Sequence, residues 1–149
     1  MPSSAEASRG GVRVEVTLVD TSAAIPFLVQ GHDDHEFTYA ALHSRELGLA
    51  GHAAFETYSV LTRLPPPARQ DTASATRLIS VNFPHSRFLT PAAAAGLLAD
   101  LSAHRVAGGS VYDALVGAAA REHDLLLATR DRRALEIYRA LGVRVELLA

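Results

Sequence analysis

The sequence predicts an α/β fold in which a mainly parallel central sheet of about five strands is flanked by helices. Short apolar runs alternate along the chain with longer segments of helical periodicity, and turn residues separate the two kinds of segment. The chain has 149 residues, the size of one domain, and no internal repeat or long linker divides it. We therefore expect one domain over residues 12–149, preceded by a flexible tail of small and polar residues at 1–11.

Five short apolar runs are the predicted strands. They are Val12–Val19, Gly48–Gly51, Arg87–Leu89, Leu125–Thr129 and Val143–Leu147. Seven segments with helical spacing lie between or beside them. They are the segment after Thr21, the segment from Asp33 or Asp34 to Gly48, and Ala53–Leu64, Arg69–Val81, Pro91–Val106, Val111–His123 and Arg132–Leu141.

Capping and helix-breaking residues mark most of the predicted helix ends. Pro26 is expected to limit or bend the first helix, and Pro65–Pro67 ends the third. Thr90 is a good cap before a proline at the first helical position, and Ser110 is the expected cap of the following helix. Gly142 ends the last helix.

The composition excludes several kinds of chemistry. The chain has no cysteine, which removes disulfides, thiol nucleophiles and cysteine zinc sites. All 14 basic residues are arginine, so there is no lysine for a P-loop or a Schiff base. A net charge of −2 means that any contact with nucleic acid requires a local patch of positive charge, metal ions or a partner.

No apolar run reaches the roughly 20 residues of a membrane-spanning helix, so we expect a soluble, cytoplasmic protein with no membrane partner.

Four acidic residues are expected near one edge of the predicted sheet. Asp20 directly follows the first strand, Glu56 lies in the first turn after the second, and Asp131 comes just past the strand that ends at Thr129. Because the C-terminal ends of parallel strands share one edge with the helix N-termini that follow them, these three acids converge there. Asp113 joins them if its helix starts at the same edge, which we infer although no preceding strand indicates it.

A cluster of carboxylates at this edge predicts metal-dependent chemistry. Crowded carboxylates repel one another and raise each other's pKa. A divalent cation relieves this repulsion, and hard oxygen ligands select Mg²⁺ or Mn²⁺. Such ions can activate a water molecule and stabilise the leaving oxygen of a phosphodiester.

Each acid taken alone also has a structural interpretation. Asp20 and Asp131 are good N-caps, and Ser110 with Asp113 forms a capping-box pattern. Glu56 differs, because the apolar residues around it on its helix leave a carboxylate that requires a partner. The convergence of all four acids is what favours a metal site.

Four segments resemble the motifs of the PIN-domain ribonucleases, and among these the VapC-type toxins of bacterial toxin–antitoxin pairs. They are Val19–Ala23 (VDTSA), Phe55–Pro65 (FETYSVLTRLP), Tyr112–Val116 (YDALV) and Leu127–Arg132 (LATRDR). The similarity runs from about Val14 to Leu147, and four motifs in order are far more specific than any one of them. The resemblance implies a single PIN-like domain with metal-dependent endoribonuclease activity.

The resemblance also implies roles for individual residues. It assigns catalysis, and the binding of one or two Mg²⁺ or Mn²⁺ ions, to Asp20, Glu56, Asp113 and Asp131. It makes Ser22 and Thr129 polar groups next to the metal or its ligands. It further implies an RNA substrate, a homodimer, and a cognate antitoxin whose tail enters the cleft.

An RNA contact also requires positive charge. Arg130, Arg132 and Arg133 flank Asp131, and such side chains can contact phosphates without reading the sequence. We single out Arg130 and Arg132 as candidate RNA-binding residues. For most arginines in this part of the chain, the alternative is a solvated helix position or an ion pair.

Two other features are expected to be structural. The segment Gly31–Glu36 (GHDDHE) is rich in potential metal ligands, but the helix that it opens follows another helix. That helix should therefore start at the opposite end of the sheet from the acids, which favours a polar turn. The four tyrosines, Tyr138 among them, fall on predicted helices, where packing is the expected role.

Two other functions remain open. A small-molecule phosphohydrolase would usually carry a second aspartate two residues after the nucleophile and a helper lysine. This chain has Ser22 at the first position and contains no lysine, which counts against that function. A non-catalytic binding module would use the acidic edge to hold the basic tail of a partner. The module predicts tight binding that survives the loss of Asp20, with no turnover.

Overall fold

The structure, a computed structural model, describes residues 14–149, so the predicted tail and residues 12 and 13 of the first predicted strand lie outside it. The strands are β1 (Val16–Val19), β2 (Glu46–Leu49), β3 (Leu126–Thr129) and β4 (Val145–Leu147). The α-helices are α1 (Thr21–Leu28), α2 (His35–Leu42), α3 (His52–Arg63), α4 (Thr72–Asn82), α5 (Pro91–Ala103), α6 (Ser110–Glu122) and α7 (Leu135–Ala140), the last preceded by a 3-10 turn at Arg132–Ala134. Within this part of the chain, no helix is long and apolar enough to cross a membrane.

The four strands form one parallel sheet in the spatial order β2-β1-β3-β4. Val19, at the end of β1, lies opposite Leu49 of β2 and Ala128 of β3. The chain leaves β1 on one side to form β2 and later returns on the other side to form β3. In open parallel sheets, ligands bind in the crevice at the C-terminal ends of the strands where the winding reverses in this way.

The predicted strand at Arg87–Leu89 is wrong, and the sheet of the described residues has four strands. Arg87 forms only a single bridge with Ala50, beside the free edge of β2. Regular pairing is interrupted because the Ser86 hydroxyl, and not a main-chain carbonyl, accepts the hydrogen bond from the Leu49 N–H at 2.9 Å.

Gly48 lies inside β2, so the prediction of a helix that continues to Gly48 is also wrong. Helix α2 ends at Leu42, and β2 begins at Glu46. A Cβ atom at Gly48 would collide with the main-chain carbonyl of His85. Glycine is therefore required at position 48 by the close approach of the main chain at His85. It has no part in ending α2, which stops at Leu42.

Other predicted helix ends have mixed outcomes. Helix α3 ends at Arg63, just before the three prolines, and Pro26 lies inside an α1 of only eight residues. The Thr90 hydroxyl caps α5 by accepting a main-chain N–H at 3.2 Å, as predicted. The prediction that Ser110 caps α6 is wrong, because Gly109 occupies the N-cap position and no side-chain cap forms.

Helix α6 lies close to β3 and α7 because its packed face is built from small residues. Ala114, Ala118, Ala119 and Ala120 are at most 1% exposed. Gly117 leaves room for the ring of Tyr138 on α7, since a Cβ there would lie 3.0 Å from Tyr138 Cδ1. This packing sets the position of the first turn of α6 relative to the ends of the central strands.

Candidate active site

Two of the predicted acids emerge from the two central strands. Asp20 directly follows β1, and Asp131 lies two residues beyond the end of β3. The Asp20 N–H donates to the Ala128 carbonyl at 3.4 Å, which continues the β1–β3 pairing up to the site. Both residues therefore stand at the crevice where the winding of the sheet reverses.

A cleft of about 190 Å³ opens at this point. It is lined by Asp20, Thr21, Ser22, Glu56, Asp113, Val116, Asp131 and Tyr138. The structure thus brings together all four acids that the sequence singled out. Asp113 reaches the cleft from the first turn of α6, so the expectation that this helix starts at the acidic edge agrees with the structure.

The Asp20 carboxylate is 5% exposed and is held by three hydroxyl groups. Ser22 Oγ donates to Oδ1 at 2.6 Å. Thr129 Oγ1 donates to Oδ2 at 2.6 Å, and the Tyr138 hydroxyl donates to the same oxygen at 2.7 Å. Ser22 and Thr129 therefore contact the Asp20 carboxylate and orient it through hydrogen bonds, and their place next to a metal ion stays a prediction.

Main-chain amides after β3 orient two of these hydroxyls in turn. The Arg130 N–H donates to Ser22 Oγ at 2.8 Å, and the Asp131 N–H donates to Thr129 Oγ1 at 3.0 Å. Ser22 Oγ and Thr129 Oγ1 are 3.2 Å apart. Since each oxygen already accepts an amide, its own proton is directed to the Asp20 carboxylate.

Of the three acids that the sequence also allowed as helix caps, only one forms a cap. Asp131 Oδ1 accepts the Arg133 N–H at 2.9 Å, so Asp131 does cap the following turn. Asp20 occupies the N-cap position of α1 without making a side-chain cap, and the capping box of Asp113 does not form. Glu56 is exposed, and its partner is the Thr21 hydroxyl, which donates to Oε1 at 3.0 Å.

Burial and mutual repulsion raise the proton affinity of two of the acids. Burial raises the pKa of Asp20, and the hydrogen bonds from its hydroxyl partners oppose this only in part. The pKa of Asp113 is raised first by burial and then by the negative charges of Asp131, Asp20 and Glu56. The predicted repulsion among the four carboxylates is therefore present at Asp113.

The donor set suits a hard divalent cation that keeps part of its water shell. The cleft offers carboxylate and hydroxyl oxygens, without sulfur or imidazole among its lining residues. Among residues 14–149, no three acidic or histidine side chains stand close enough to hold one ion together. Mg²⁺ is commonly bound through one or two carboxylates, with water and substrate phosphate completing the shell, so the residues fit such an ion.

The two candidate RNA-binding arginines differ in their surroundings. Arg130 NH1 pairs with Asp34 Oδ2 at 2.9 Å, and its guanidinium carbon lies 5.7 Å from the centre of the Phe37 ring. Its side chain is only 21% exposed, and its Nε is buried without a hydrogen-bond partner among the described residues. Arg132 is exposed in the 3-10 turn. RNA binding by either residue stays a prediction.

The predicted placement of the polar turn at Gly31–Glu36 is wrong. Its residue Asp34 pairs with Arg130, which directly follows β3, so the turn lies beside the acidic edge and not at the opposite end. Because β2 runs parallel to β1, the chain must return from the acidic edge to the opposite edge of the sheet before β2 begins. Helix α2 makes this return, from Asp34 to the start of β2, so the turn before it lies at the acidic edge. The turn is still polar: His32 Nδ1 accepts the Asp34 N–H, and His35 Nδ1 lies 2.8 Å from the Pro26 carbonyl.

Three residues that line the cleft, Thr21, Val116 and Tyr138, are site residues that the sequence did not predict, and Tyr138 is the one that contacts Asp20. It was expected to pack, and its ring does, at 1% exposure, but its hydroxyl also reaches the Asp20 carboxylate. The only available signal is that a buried tyrosine hydroxyl usually finds a partner. That signal does not say which residue supplies the partner, and here it is one that lies 118 positions away in the sequence.

An acid-lined cleft at the winding reversal of a parallel sheet is typical of α/β proteins that bind a ligand at this edge. The model of the PIN domain family matches residues 17–140. Ribonuclease VapC27 of Mycobacterium tuberculosis is 46% identical over 131 residues, covering 88% of this chain and 96% of the relative. The chain therefore belongs to the PIN domain family.

Solved structures share the fold at lower identity. The VapC20 toxin of Mycobacterium tuberculosis, described as cleaving the sarcin–ricin loop, superimposes with a TM-score of 0.63 at 18% identity, covering 85% of this chain and 95% of that one. A DNA-bound VapBC from Salmonella typhimurium superimposes with a TM-score of 0.64 at 20% identity, covering 92% of this chain and all of that one. At these identities the similarity extends to the fold alone.

Proposed function

We propose that this protein is a divalent-metal-dependent endoribonuclease that hydrolyses RNA phosphodiester bonds and acts as a VapC-type toxin in the cytoplasm. The single observation that carries the proposal is the cleft in which Asp20, Glu56, Asp113 and Asp131 meet at the reversal point of the sheet. The name of a relative that is 46% identical over most of both chains, Ribonuclease VapC27, supports the reaction class.

The four carboxylates are the residues that would hold one or two Mg²⁺ or Mn²⁺ ions, with no more than two carboxylates to an ion and with water and substrate phosphate completing each shell. When bound, such an ion activates a water molecule and stabilises the leaving oxygen of the phosphodiester. The protein's own contribution is to fix Asp20 through Ser22, Thr129 and Tyr138 before substrate arrives. Such preorganisation lowers the reorganisation needed in the transition state.

The other three acids line the same cleft as Asp20. Glu56 is exposed and lines the cleft, and the Thr21 hydroxyl orients it by donating to Oε1. Asp113 is half-buried, and burial together with the charges of the neighbouring carboxylates raises its pKa, a repulsion that a bound cation would relieve. Asp131 is anchored by the amide of Arg133, which leaves its second oxygen without that bond.

The same arrangement disfavours the phosphohydrolase alternative. An aspartate nucleophile must present an oxygen to the substrate phosphorus. Asp20 is buried, and both of its oxygens accept hydrogen bonds from hydroxyls, which reduce their nucleophilicity. We therefore assign Asp20 to holding the metal ion.

The partners proposed for this protein are RNA as substrate, a cognate antitoxin as inhibitor and a second copy of the chain. The VapBC complex among the structures of the same fold is consistent with an antitoxin partner. Four apolar side chains, each at least 48% exposed, are available for a homodimer face or another contact. They are Phe55, Phe88, Leu98 and Tyr112.

The test is RNA cleavage by the purified chain, freed of any partner. Mixed single-stranded and structured RNAs are incubated with Mn²⁺, Mg²⁺ or excess EDTA, using the unaltered protein and Asp20→Asn. We expect cleavage that requires both the metal and Asp20.

Asp124→Asn is the matched control. Asp124 is exposed, pairs only loosely with Arg144 at 3.7 Å, and has a positive φ that asparagine also tolerates. It should cleave like the unaltered protein. Cleavage that persists in EDTA or in Asp20→Asn would indicate a contaminating nuclease. A folded protein that cleaves nothing but binds a partner equally well with Asn at position 20 would support the binding module.

A further inference from the structure

We infer that Tyr138 is a positioning residue of the metal site: its hydroxyl fixes the Asp20 carboxylate so that Oδ1, and not Oδ2, is the oxygen that meets the cation. The inference rests on the proposed function, since it concerns the same site. Its starting point is that Tyr138 joins Asp20 across 118 residues of sequence with a hydrogen bond of 2.7 Å.

The two oxygens of Asp20 differ in how many hydroxyls they accept. Oδ2 accepts from both Thr129 and Tyr138, whereas Oδ1 accepts from Ser22 alone. A carboxylate oxygen has about two lone-pair sites. Two hydroxyl donors therefore occupy Oδ2, and Oδ1 keeps one site for a cation.

The ring of Tyr138 is held in place by packing, so the hydroxyl has little freedom to leave Asp20. The residue is 1% exposed and lies against Gly117 of α6, whose missing side chain makes the space for the ring. A Cβ at Gly117 would lie 3.0 Å from Tyr138 Cδ1 and 3.3 Å from Val143 Cγ2. The glycine thus determines where the tyrosine hydroxyl stands, from a position that lines no part of the cleft.

Tyr138→Phe is the direct test, because it keeps the ring and removes the hydroxyl. Tyr39→Phe is the matched control, since Tyr39 lies on α2 and stacks on Phe27, away from the acids. The measurements are the dissociation constant for Mn²⁺ alone by calorimetry, the Tm in EDTA, and the kcat and KM for a cleaved RNA.

We expect Tyr138→Phe to weaken Mn²⁺ binding by about 10–100-fold, the usual effect of removing a group that orients a metal ligand. The kcat should fall while KM for RNA stays unchanged, and Tyr39→Phe should match the unaltered protein in both. Gly117→Ala, which keeps the hydroxyl but displaces the ring, should weaken Mn²⁺ binding in the same direction.

The outcomes separate this inference from the proposed function. Unaltered protein that binds Mn²⁺ and cleaves RNA, with Tyr138→Phe indistinguishable from it, overturns the positioning role alone. A loss of Tm in Tyr138→Phe with Mn²⁺ affinity and kcat preserved makes Tyr138 a packing residue and also overturns the role. Failure of the unaltered protein to bind Mn²⁺ overturns both.

Discussion

Replacing Thr129 by valine tests whether the hydroxyl network around Asp20 stabilises the fold. Thr129 is fully buried, and its hydroxyl makes two hydrogen bonds of different kinds. It donates to the Asp20 carboxylate at 2.6 Å and accepts the Asp131 N–H at 3.0 Å. Valine keeps the shape of the side chain and removes both bonds.

The expected loss of stability follows from these two bonds. A hydrogen bond to a charged group contributes about 1.5–3 kcal/mol, and a neutral one about 0.5–1.5 kcal/mol. The sum is about 2–3.5 kcal/mol in the free energy of unfolding, taking the lower end for the amide of partly exposed Asp131. For a domain of this size, each kcal/mol lowers Tm by about 2–4 °C.

Thr38→Val is the matched control. Thr38 is also fully buried, but its hydroxyl makes one neutral bond, to the Asp34 carbonyl at 2.8 Å in the first turn of α2. The expected loss is about 0.5–1.5 kcal/mol. Both variants are compared by urea denaturation in EDTA, so that bound metal adds nothing to the stability.

Equal losses for the two variants would refute this reasoning, because the charge on Asp20 would then contribute nothing at Thr129. The difference should also depend on pH. Protonation of Asp20 in acid turns its bond to Thr129 into a neutral one, so the difference in stability between the two variants should become smaller there.

Three further outcomes follow from the site and the sheet. Saturating Mn²⁺ at 100 times its dissociation constant should stabilise the protein by about 2.7 kcal/mol, measured as a rise in Tm that Asp20→Asn abolishes; a flat Tm against metal would count against the site. The pKa values of Asp20 and Asp113 are raised, so the folded chain holds protons that the unfolded chain releases. Metal-free stability should therefore fall as pH rises from the usual aspartate range through the raised values, and stability that rises instead contradicts this assignment. Gly48→Ala should lower Tm sharply through its collision with the His85 carbonyl, whereas Ala at Gly96, which has open space around it, should raise stability by about 0.5–1 kcal/mol; equal Tm values would contradict the contact.

The sequence predicts the position of some site residues better than that of others. Positions that follow a strand directly, such as Asp20, are readable because parallel strands end at one edge. The placement of Asp113 required α6 to start at that edge, which no preceding strand indicates. The close packing of the alanine-rich face of α6 on β3 and α7 decides this.

Failures of the sequence predictions share a physical cause. Gly48 looked like a helix end, and Arg87–Leu89 looked like a strand, because local patterns do not show which segment lies alongside β2. The turn at Asp34 was assigned to the wrong end of the sheet because the direction of α1 and α2 depends on how they pack. All three are decided by contacts between segments distant in the chain.

The sequence by itself determined the α/β class, the order of most helices and strands, and which four acids are candidate site residues. Each of these is indicated by local periodicity, by capping residues or by a position after a strand. Only the tertiary structure decided that the sheet has the order β2-β1-β3-β4 and that the winding reverses at Asp20. It alone brought Tyr138 to the carboxylate. A buried hydroxyl requires a partner, but the partner is chosen by packing across the whole domain.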